Sequence, residues 1–137
     1  MAETTVWVAA AAEDVWAVLA DPGRYAEWVA GTSETHGVDG TWPAQGARLR
    51  YRLPGGVGDE TSVVSADAPH VLVLLASLGP LASLAITIEL KESGDGTRVS
   101  LREEPRGGAA LGGPLADAAN TLRGAFSLER LKELVEP

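Results

Sequence analysis

Residues 70–90 read HVLVLLASLGPLASLAITIEL, and the central positions 71–88 carry no charged side chain over eighteen residues. A helix that spans a lipid bilayer needs about twenty consecutive apolar residues, so this stretch is marginally long enough to be one. The same composition is typical of two strands in the middle of a protein core. The two interpretations imply different classes of molecule.

Gly79-Pro80 divides the stretch at its middle. Proline lacks an amide donor and glycine favours a turn, so the pair interrupts regular structure. The first half, VLVLLASL, is continuously apolar, as in a strand that is covered on both faces. The second half alternates with a period of two, which indicates a half-buried strand. Since no Lys or Arg cluster flanks the stretch to set a membrane topology, we predict two antiparallel strands and no membrane span.

Bulk composition limits the remaining possibilities. The chain has 137 residues, a formal net charge of −8 and no cysteine. The length suits one core, so we expect residues 1–137 to form a single domain. The acidic balance argues against nucleic acid as a partner, and the lack of cysteine excludes disulfides and thiolate metal sites. MAETTVWVAA lacks the basic segment of a secretory signal, so a cytoplasmic location is expected.

The N-terminal part is predicted to contain one strand and two short helices. TTVWVAA, residues 4–10, is β-branched and aromatic, as strands are. AEDVWAVLADP has apolar residues at helical spacing and acidic residues where the helix dipole favours them. Asp21-Pro22 ends that helix and can begin the next, with Asp21 as N-cap and Pro22 at the first helical position.

Five or six strands and one long helix follow. The other strand segments are SETHGV, ARLRYRL, DETSVVSAD and RVSLREE, and SGDGT is predicted to form a hairpin in which Asp-Gly supplies positive φ angles. Pro114 opens the last helix, which would be roughly 33 Å long over about 22 residues. Its predicted apolar stripe is Leu115, Ala118, Ala119, Leu122, Ala125 and Phe126, extended by Leu128, Leu131, Leu134 and Val135. A run of strands before a helix indicates an α+β fold.

This order of elements has a consequence for the interior. One antiparallel sheet must bury one face, and the final helix is the long element that can cover it. A twisted sheet curls around such a helix, and the inward side chains are mostly of modest size. We therefore expect an apolar cavity between sheet and helix, with a solidly packed core as the alternative.

Four segments carry a resemblance to a known superfamily: AAEDVWAVLADPGRYAEWVAG, DGTWPAQGARL, GDGTRVSLREEP and LRGAFSLERLKEL. With their spacing they cover nearly the whole chain, which resembles the START-like helix-grip (SRPBCC) proteins, in particular the bacterial polyketide cyclase/dehydrase-like proteins. The resemblance implies a curved antiparallel sheet of six to seven strands wrapped around a long C-terminal helix. It also implies two short helices after the first strand and an apolar small molecule bound beneath the long helix.

Glu103 is the first candidate catalytic residue. It continues the inward phase of Val99 and Leu101, whereas Glu104 points outward. A buried carboxyl has a raised pKa and can act as an acid, a base or a ligand anchor. If the strand instead frays before Pro105, Glu103 is solvated.

Arg123 and Tyr51 are the other catalytic candidates. Arg123 interrupts the apolar side of the last helix and can pair with Glu103 across the cavity; in the resembling cyclases an inward Arg can hold an enolate or carboxylate. The alternative is a solvated Arg whose stem covers apolar surface. Tyr51 can donate its hydroxyl to a ligand carbonyl or serve as a plain core aromatic.

The predicted ligand-binding set combines inward strand positions with residues of the second and last helices. It comprises Trp28, Tyr51, Thr61, Val63, Ile86, Ile88, Leu101, Glu103, Leu122 and Phe126. Trp28 and Tyr25 are placed at the cavity entrance, with packing as the alternative role of Trp28.

Other patterns point to no further site. Arg48, Arg50 and Arg52 alternate along one strand, which is typical of a solvent face balanced by acids such as Glu60. His36 and His70 have no metal-ligand spacing, and no phosphate loop or nucleophile elbow is present, so no metal or cofactor is expected.

Three functions are compatible with this sequence. The first is a carrier or sensor that binds a hydrophobic small molecule, either a lipid or an aromatic polyketide-like compound. The second is a polyketide cyclase/dehydratase that uses acid/base chemistry in the same cavity. The third is a co-chaperone-like interaction module. The sequence favours binding because inward titratable groups are few, and it leaves open whether the protein is a monomer or a homodimer.

Overall fold

The computed structural model describes residues 2–29, 34–52, 58–77, 83–106 and 114–136. Within these ranges, the side chains of residues 2, 34, 36, 52, 58, 59 and 114–122 are not described. The elements in chain order are β1 (Ala2–Val8), α1 (Ala12–Leu19), a 3₁₀ turn (Pro22–Arg24), α2 (Tyr25–Trp28), β2 (Glu34–Asp39), β3 (Arg48–Arg52), β4 (Gly58–Asp67), β5 (Val71–Ser77), β6 (Ser83–Ser93), β7 (Gly96–Arg106) and α3 (Pro114–Val135).

The described strands form one seven-stranded sheet in the order β1-β7-β6-β5-β4-β3-β2. Every neighbouring pair is antiparallel. The register shifts between Thr35 and Gly37 and between Val63 and Ser65, and such irregularities bend a strand and increase its twist. With the long C-terminal helix, this confirms the predicted α+β helix-grip architecture.

The apolar stretch of residues 70–90 contributes β5 and most of β6, which pair with each other as predicted. β5 and β6 are antiparallel, with Leu74 opposite Ile86 and Leu72 opposite Ile88. No helix in the described part of the chain is long and apolar enough to cross a membrane. One expectation was wrong: β5 is not covered on both faces, because fully buried and half-buried residues alternate along it. Its outer side chains remain partly exposed because the helices pack against the other face of the sheet.

The turn that leads into α2 follows the capping pattern in the sequence. The Asp21 carboxylate accepts a hydrogen bond from the Gly23 amide at 3.0 Å, and Pro22 occupies the first position of the 3₁₀ turn that leads into α2. Tyr25 and Trp28 of α2 are both buried. The cap therefore sets the direction in which α2 presents these two rings to the sheet.

The β6–β7 hairpin differs from the prediction in one detail. Its two-residue turn is Gly94-Asp95, and Gly94 has φ +61°, whereas Asp95 has no positive φ. Gly96 belongs to β7 and is required for another reason. A Cβ at this position would lie 2.2 Å from the Val8 carbonyl oxygen and 2.6 Å from the Trp7 ring, so glycine allows β1 to approach the start of β7.

α3 packs chiefly against β1 and also contacts α1, α2 and β7. Its buried residues among those described are Gly124, Ser127, Leu128 and Leu131. Phe126, which was predicted to face the core, is 59% exposed. The reason is helical geometry: at about 100° per residue, Phe126 lies roughly 200° around the axis from both Gly124 and Leu128.

The C-terminal end of α3 is held against the end of β1 by polar contacts. Lys132 Nζ donates to the Trp7 carbonyl at 2.8 Å, and the Ala9 amide donates to Glu136 Oε2 at 2.8 Å. The Ala9 hydrogen bond, helped by Lys132, lowers the pKa of the Glu136 carboxyl. These contacts fix one end of α3 and so define where its middle crosses the sheet.

Candidate functional site

The strand register brings four inward residues into one row across the sheet. Glu103 of β7 lies opposite Ile86 of β6, which lies opposite Leu74 of β5, which lies opposite Val63 of β4. Side chains at paired positions point to the same face. The row is therefore apolar except at one end, where Glu103 contributes a carboxyl group. This row forms the floor of the candidate site.

Glu103 is 4% exposed and forms an ion pair with α3. Arg123 Nη2 donates to Glu103 Oε2 at 2.8 Å, and the Arg123 side chain is 41% exposed. Burial raises the pKa of the Glu103 carboxyl, and Arg123 opposes this shift. β7 continues to Arg106 through Pro105, so the strand does not fray at Glu103. The result is a buried acid with its partner at the edge of the interior.

Three hydroxyl groups meet beneath α2. Thr61 Oγ1 lies 2.9 Å from the Tyr51 hydroxyl and 3.4 Å from the Tyr25 hydroxyl. The two tyrosine rings are 5.4 Å apart. Burial, together with Tyr51, raises the pKa of the Tyr25 phenol, which also experiences the charges of Arg123 and Glu103. Tyr25 is therefore the neutral member of the hydroxyl cluster that also senses the charges of the ion pair.

Two buried polar atoms among the described residues have no hydrogen-bond partner: Trp28 Nε1 and Thr4 Oγ1. A buried donor or acceptor without a partner costs about 1–3 kcal/mol, so such atoms are rare in proteins. Thr4 lies next to Glu103, since a Cβ built on Gly124 would be 2.9 Å from Thr4 Oγ1 and 3.3 Å from Glu103 Oε1. Thr4 therefore borders the ion pair, whereas Trp28 lies beside Tyr25, with its ring 5.8 Å from the Tyr25 ring.

At Gly124, α3 comes close to this floor. Its missing side chain leaves room for Thr4, Glu103 and Leu101, whose Cδ2 would be 3.0 Å from a Cβ. Glycine in a helix interior costs about 1 kcal/mol relative to alanine. The close approach of α3 to the sheet explains why glycine is present despite this cost. It also brings the adjacent residue, Arg123, within hydrogen-bonding distance of Glu103.

The structure places the predicted ligand-binding residues as follows. Fully buried residues on the inner side are Trp28, Tyr51, Thr61, Val63, Ile88, Leu101 and Glu103. Ile86 is half-buried. The side chain of Leu122 lies outside the described residues. Phe126 faces away from the interior, so its placement in the ligand-binding set was wrong.

Three residues of the site were not predicted from the sequence to lie inside it. Tyr25 was placed only at the entrance, although its helical spacing with Trp28 indicates an inward ring. Gly124 carried a weak signal, since a lone glycine inside a helical pattern suggests close packing. Thr4 had no such signal, because its proximity to Glu103 depends on the β1–β7 register.

The arginine-bearing face of β3 is separate from this site. Arg48 and Arg50 are exposed, and Arg50 forms an ion pair with Asp39 of β2. Glu60 lies opposite Arg50 in the β3–β4 register. The side chain of Arg52 lies outside the described residues. These contacts favour the solvent-face interpretation of the stripe.

The raised pKa of Glu103 predicts a pH-dependent stability. The folded state holds the Glu103 proton more tightly than the unfolded chain, in which the pKa of the carboxyl is about 4.5. The resulting stabilisation is complete below that value and is lost as the pH rises through the folded-state pKa. Urea unfolding from pH 4 to 8 should therefore show that wild type loses stability relative to Glu103→Gln as the pH rises. Glu104→Gln, at the exposed neighbouring position, is the control; parallel curves for wild type and Glu103→Gln would refute the shift.

Gly124→Ala tests the close approach of α3. Helix propensity alone predicts that alanine stabilises the protein by about 1 kcal/mol. We expect the opposite, a loss of about 1–2 kcal/mol, because the added methyl overpacks against Thr4 and Leu101. Chemical denaturation measures this difference. Ala125→Gly, at an exposed position of the same helix, should cost about 1 kcal/mol from propensity alone, and a more stable Gly124→Ala variant would contradict the packing described here.

Comparisons with known proteins agree with the fold. The family described as "Polyketide cyclase / dehydrase and lipid transport" matches residues 2–136. No curated protein sequence matches the chain.

Among solved structures, protein CV1439 from Chromobacterium violaceum is 19% identical with a TM-score of 0.75, covering 98% of this chain and 96% of that one. CalU16 from Micromonospora echinospora is 18% identical with a TM-score of 0.69, covering 98% and 75%. The di-domain ARO/CYC StfQ from the steffimycin biosynthetic pathway is 12% identical with a TM-score of 0.75, covering 97% of this chain and 49% of its own. At these identities the likeness shows the fold.

Proposed function

Because the chain belongs to the polyketide cyclase/dehydrase and lipid transport family, we propose that it binds a hydrophobic small molecule between the inner face of the sheet and α3. The ligand is a lipid or an aromatic polyketide-like compound, and the protein acts as its carrier or sensor. The observation that carries this proposal is the combination of an apolar row with a few converging polar groups at Glu103, Arg123 and Tyr25.

Such a combination is the usual composition of a small-molecule site. Most of a ligand's contact area is apolar in these sites, and a few placed polar groups fix its orientation. Here Ile86, Leu74 and Val63 supply the apolar contact along the row. The partly exposed guanidinium of Arg123 and the buried hydroxyl of Tyr25 supply the polar contacts.

A second function, a cyclase or dehydratase, is favoured by one specific observation. The pKa of Glu103 is raised by burial, and proton transfer is most efficient when the pKa of the catalytic group approaches the working pH. In a bound poly-β-ketone chain, the Glu103 carboxylate would remove a proton from a carbon between two carbonyl groups and become protonated, and Arg123 would stabilise the enolate oxygen that forms. Tyr51 or Tyr25 would hold the carbonyl through a hydrogen bond.

Native mass spectrometry of protein purified from its own host tests binding. We expect the mass of the chain plus one small organic molecule, with the extra mass lost after extraction with organic solvent. Protein that carries only its own mass, and that takes up neither host lipids nor aromatic polyketides added to it, would contradict the proposal.

The extracted compound then separates a carrier from an enzyme. A carrier returns the compound unchanged, whereas a cyclase or dehydratase converts it to a product. Conversion by wild type and by Glu104→Gln, but not by Glu103→Gln, would assign the enzyme. Equal recovery of unchanged compound from all three proteins would assign the carrier.

A further inference from the structure

Trp28 is a buried hydrogen-bond donor that the fold leaves unused. It is 3% exposed, and its Nε1 has no acceptor among the described residues. Two other tryptophans use theirs: Trp42 Nε1 donates to the Leu19 carbonyl at 3.0 Å, and Trp7 Nε1 donates to the Ser93 carbonyl at 2.9 Å. Among the described residues, Trp28 is the tryptophan whose indole N–H is buried without an acceptor.

The position of Trp28 connects this donor with the candidate site. Its ring lies 5.8 Å from the Tyr25 ring in an edge-to-face arrangement, and Tyr25 reaches Thr61 on the sheet. Trp28 is thus on the side of α2 that faces the sheet. Thr61, the polar partner of Tyr25, is already engaged, since its hydroxyl contacts the hydroxyl groups of both Tyr25 and Tyr51.

The chemistry of the indole determines which groups can form a hydrogen bond with Trp28. An indole N–H donates and cannot accept, so its partner must be an acceptor atom. A hydrocarbon placed beside Trp28 would leave the N–H unpaired, whereas a carbonyl oxygen would pair it. Burying an unpaired polar group is the main reason that binding sites reject close analogues that lack one atom.

We propose that Trp28 is the residue that determines specificity at this site by donating its indole N–H to a carbonyl oxygen of the bound molecule. This inference rests on the proposed ligand-binding function. The site then selects oxygenated apolar compounds over hydrocarbons of the same shape.

Fluorenone and fluorene are suitable probes, since the two tricycles differ by one carbonyl oxygen. In a proton–nitrogen correlation spectrum of wild type, fluorenone should move the Trp28 indole proton downfield, as a new hydrogen bond does, and fluorene should not. The signals of Trp7 and Trp42 should stay in place with both compounds. Signals are assigned on wild type by triple-resonance spectra, so this measurement does not depend on a variant folding.

Affinities provide the second measurement. Trp28→Phe removes the N–H and keeps an aromatic ring, so the ratio of fluorenone affinity to fluorene affinity should fall by roughly five- to tenfold, the value of one neutral hydrogen bond. Trp16→Phe, at a half-buried position of α1, should leave this ratio unchanged. Comparing ratios cancels the different water solubilities of the two probes.

The outcomes separate the two proposals. Binding of both compounds with an unmoved Trp28 signal, or with the same affinity ratio in Trp28→Phe, would overturn the role of Trp28 and leave the ligand-binding function intact. If neither compound perturbs any buried methyl signal, the binding site itself fails and the inference fails with it. A downfield shift with fluorenone alone supports both.

Discussion

Arg123→Met is expected to lower the free energy of unfolding at pH 7 by about 2 kcal/mol. Removing one partner of a buried ion pair leaves an uncompensated charge, which costs about 3–5 kcal/mol when both groups are fully buried. The smaller value follows because Arg123 is partly exposed, so water already screens part of the interaction. The loss should shrink towards pH 4, because a protonated Glu103 does not need the guanidinium.

A double-mutant cycle isolates the pair from other effects of the substitution. Glu103→Gln combined with Arg123→Met should recover most of the stability lost in Arg123→Met, since no charge remains buried. Urea unfolding at pH 7 and pH 4 measures all four proteins. Arg102→Met is the matched control: Arg102 pairs with Glu3 on the exposed face, and exposed pairs contribute about 0–1 kcal/mol. If Arg123→Met loses no more stability than Arg102→Met, or loses the same amount at both pH values, the Glu103–Arg123 pair is not a buried one.

Gly96→Ala is expected to cost about 3 kcal/mol, near the upper end for overpacking. A methyl at this position would meet the Val8 carbonyl oxygen, which belongs to the backbone and cannot rotate away. The substitution therefore separates β1 from β7. Since α3 packs chiefly on β1, the position of the helix is disturbed as well.

Gly94→Ala in the same hairpin is the control for this prediction. Gly94 has φ +61° and open space around it, so alanine should cost only the left-handed backbone penalty of about 1–2 kcal/mol. Thermal and urea unfolding should rank Gly96→Ala as clearly the less stable of the two variants. A Gly96→Ala variant as stable as Gly94→Ala would mean that β1 is not held at the distance described.

The fold could be predicted from the sequence because alternation in a sheet is a local property. Side chains of a strand point to opposite faces at every step, so the inward phase of Leu101 predicted that of Glu103 two residues later. The break at Gly79-Pro80 likewise distinguished two strands from one membrane helix. These inferences needed only neighbouring residues.

The parts of the site that could not be predicted depend on contacts between distant segments. Thr61 joins Tyr25 and Tyr51 only because α2 and β3 both meet β4 at that level of the sheet. The face of α3 was misassigned for a related reason. Apolar residues occur on several sides of this helix, so periodicity alone could not show whether the side of Phe126 or that of Gly124 faces the sheet. The close approach of Gly124 to Thr4 shows that the Gly124 side does.

The position of a bound ligand is the most direct measurement of the proposed site. With methyl-labelled protein and fluorenone, we predict nuclear Overhauser effects between the ring protons of fluorenone and the methyl groups of Leu74, Ile88 and Leu101. These methyls line the inner face of the sheet. Effects confined to Val64, which is exposed on the outer surface, would contradict binding between the sheet and α3.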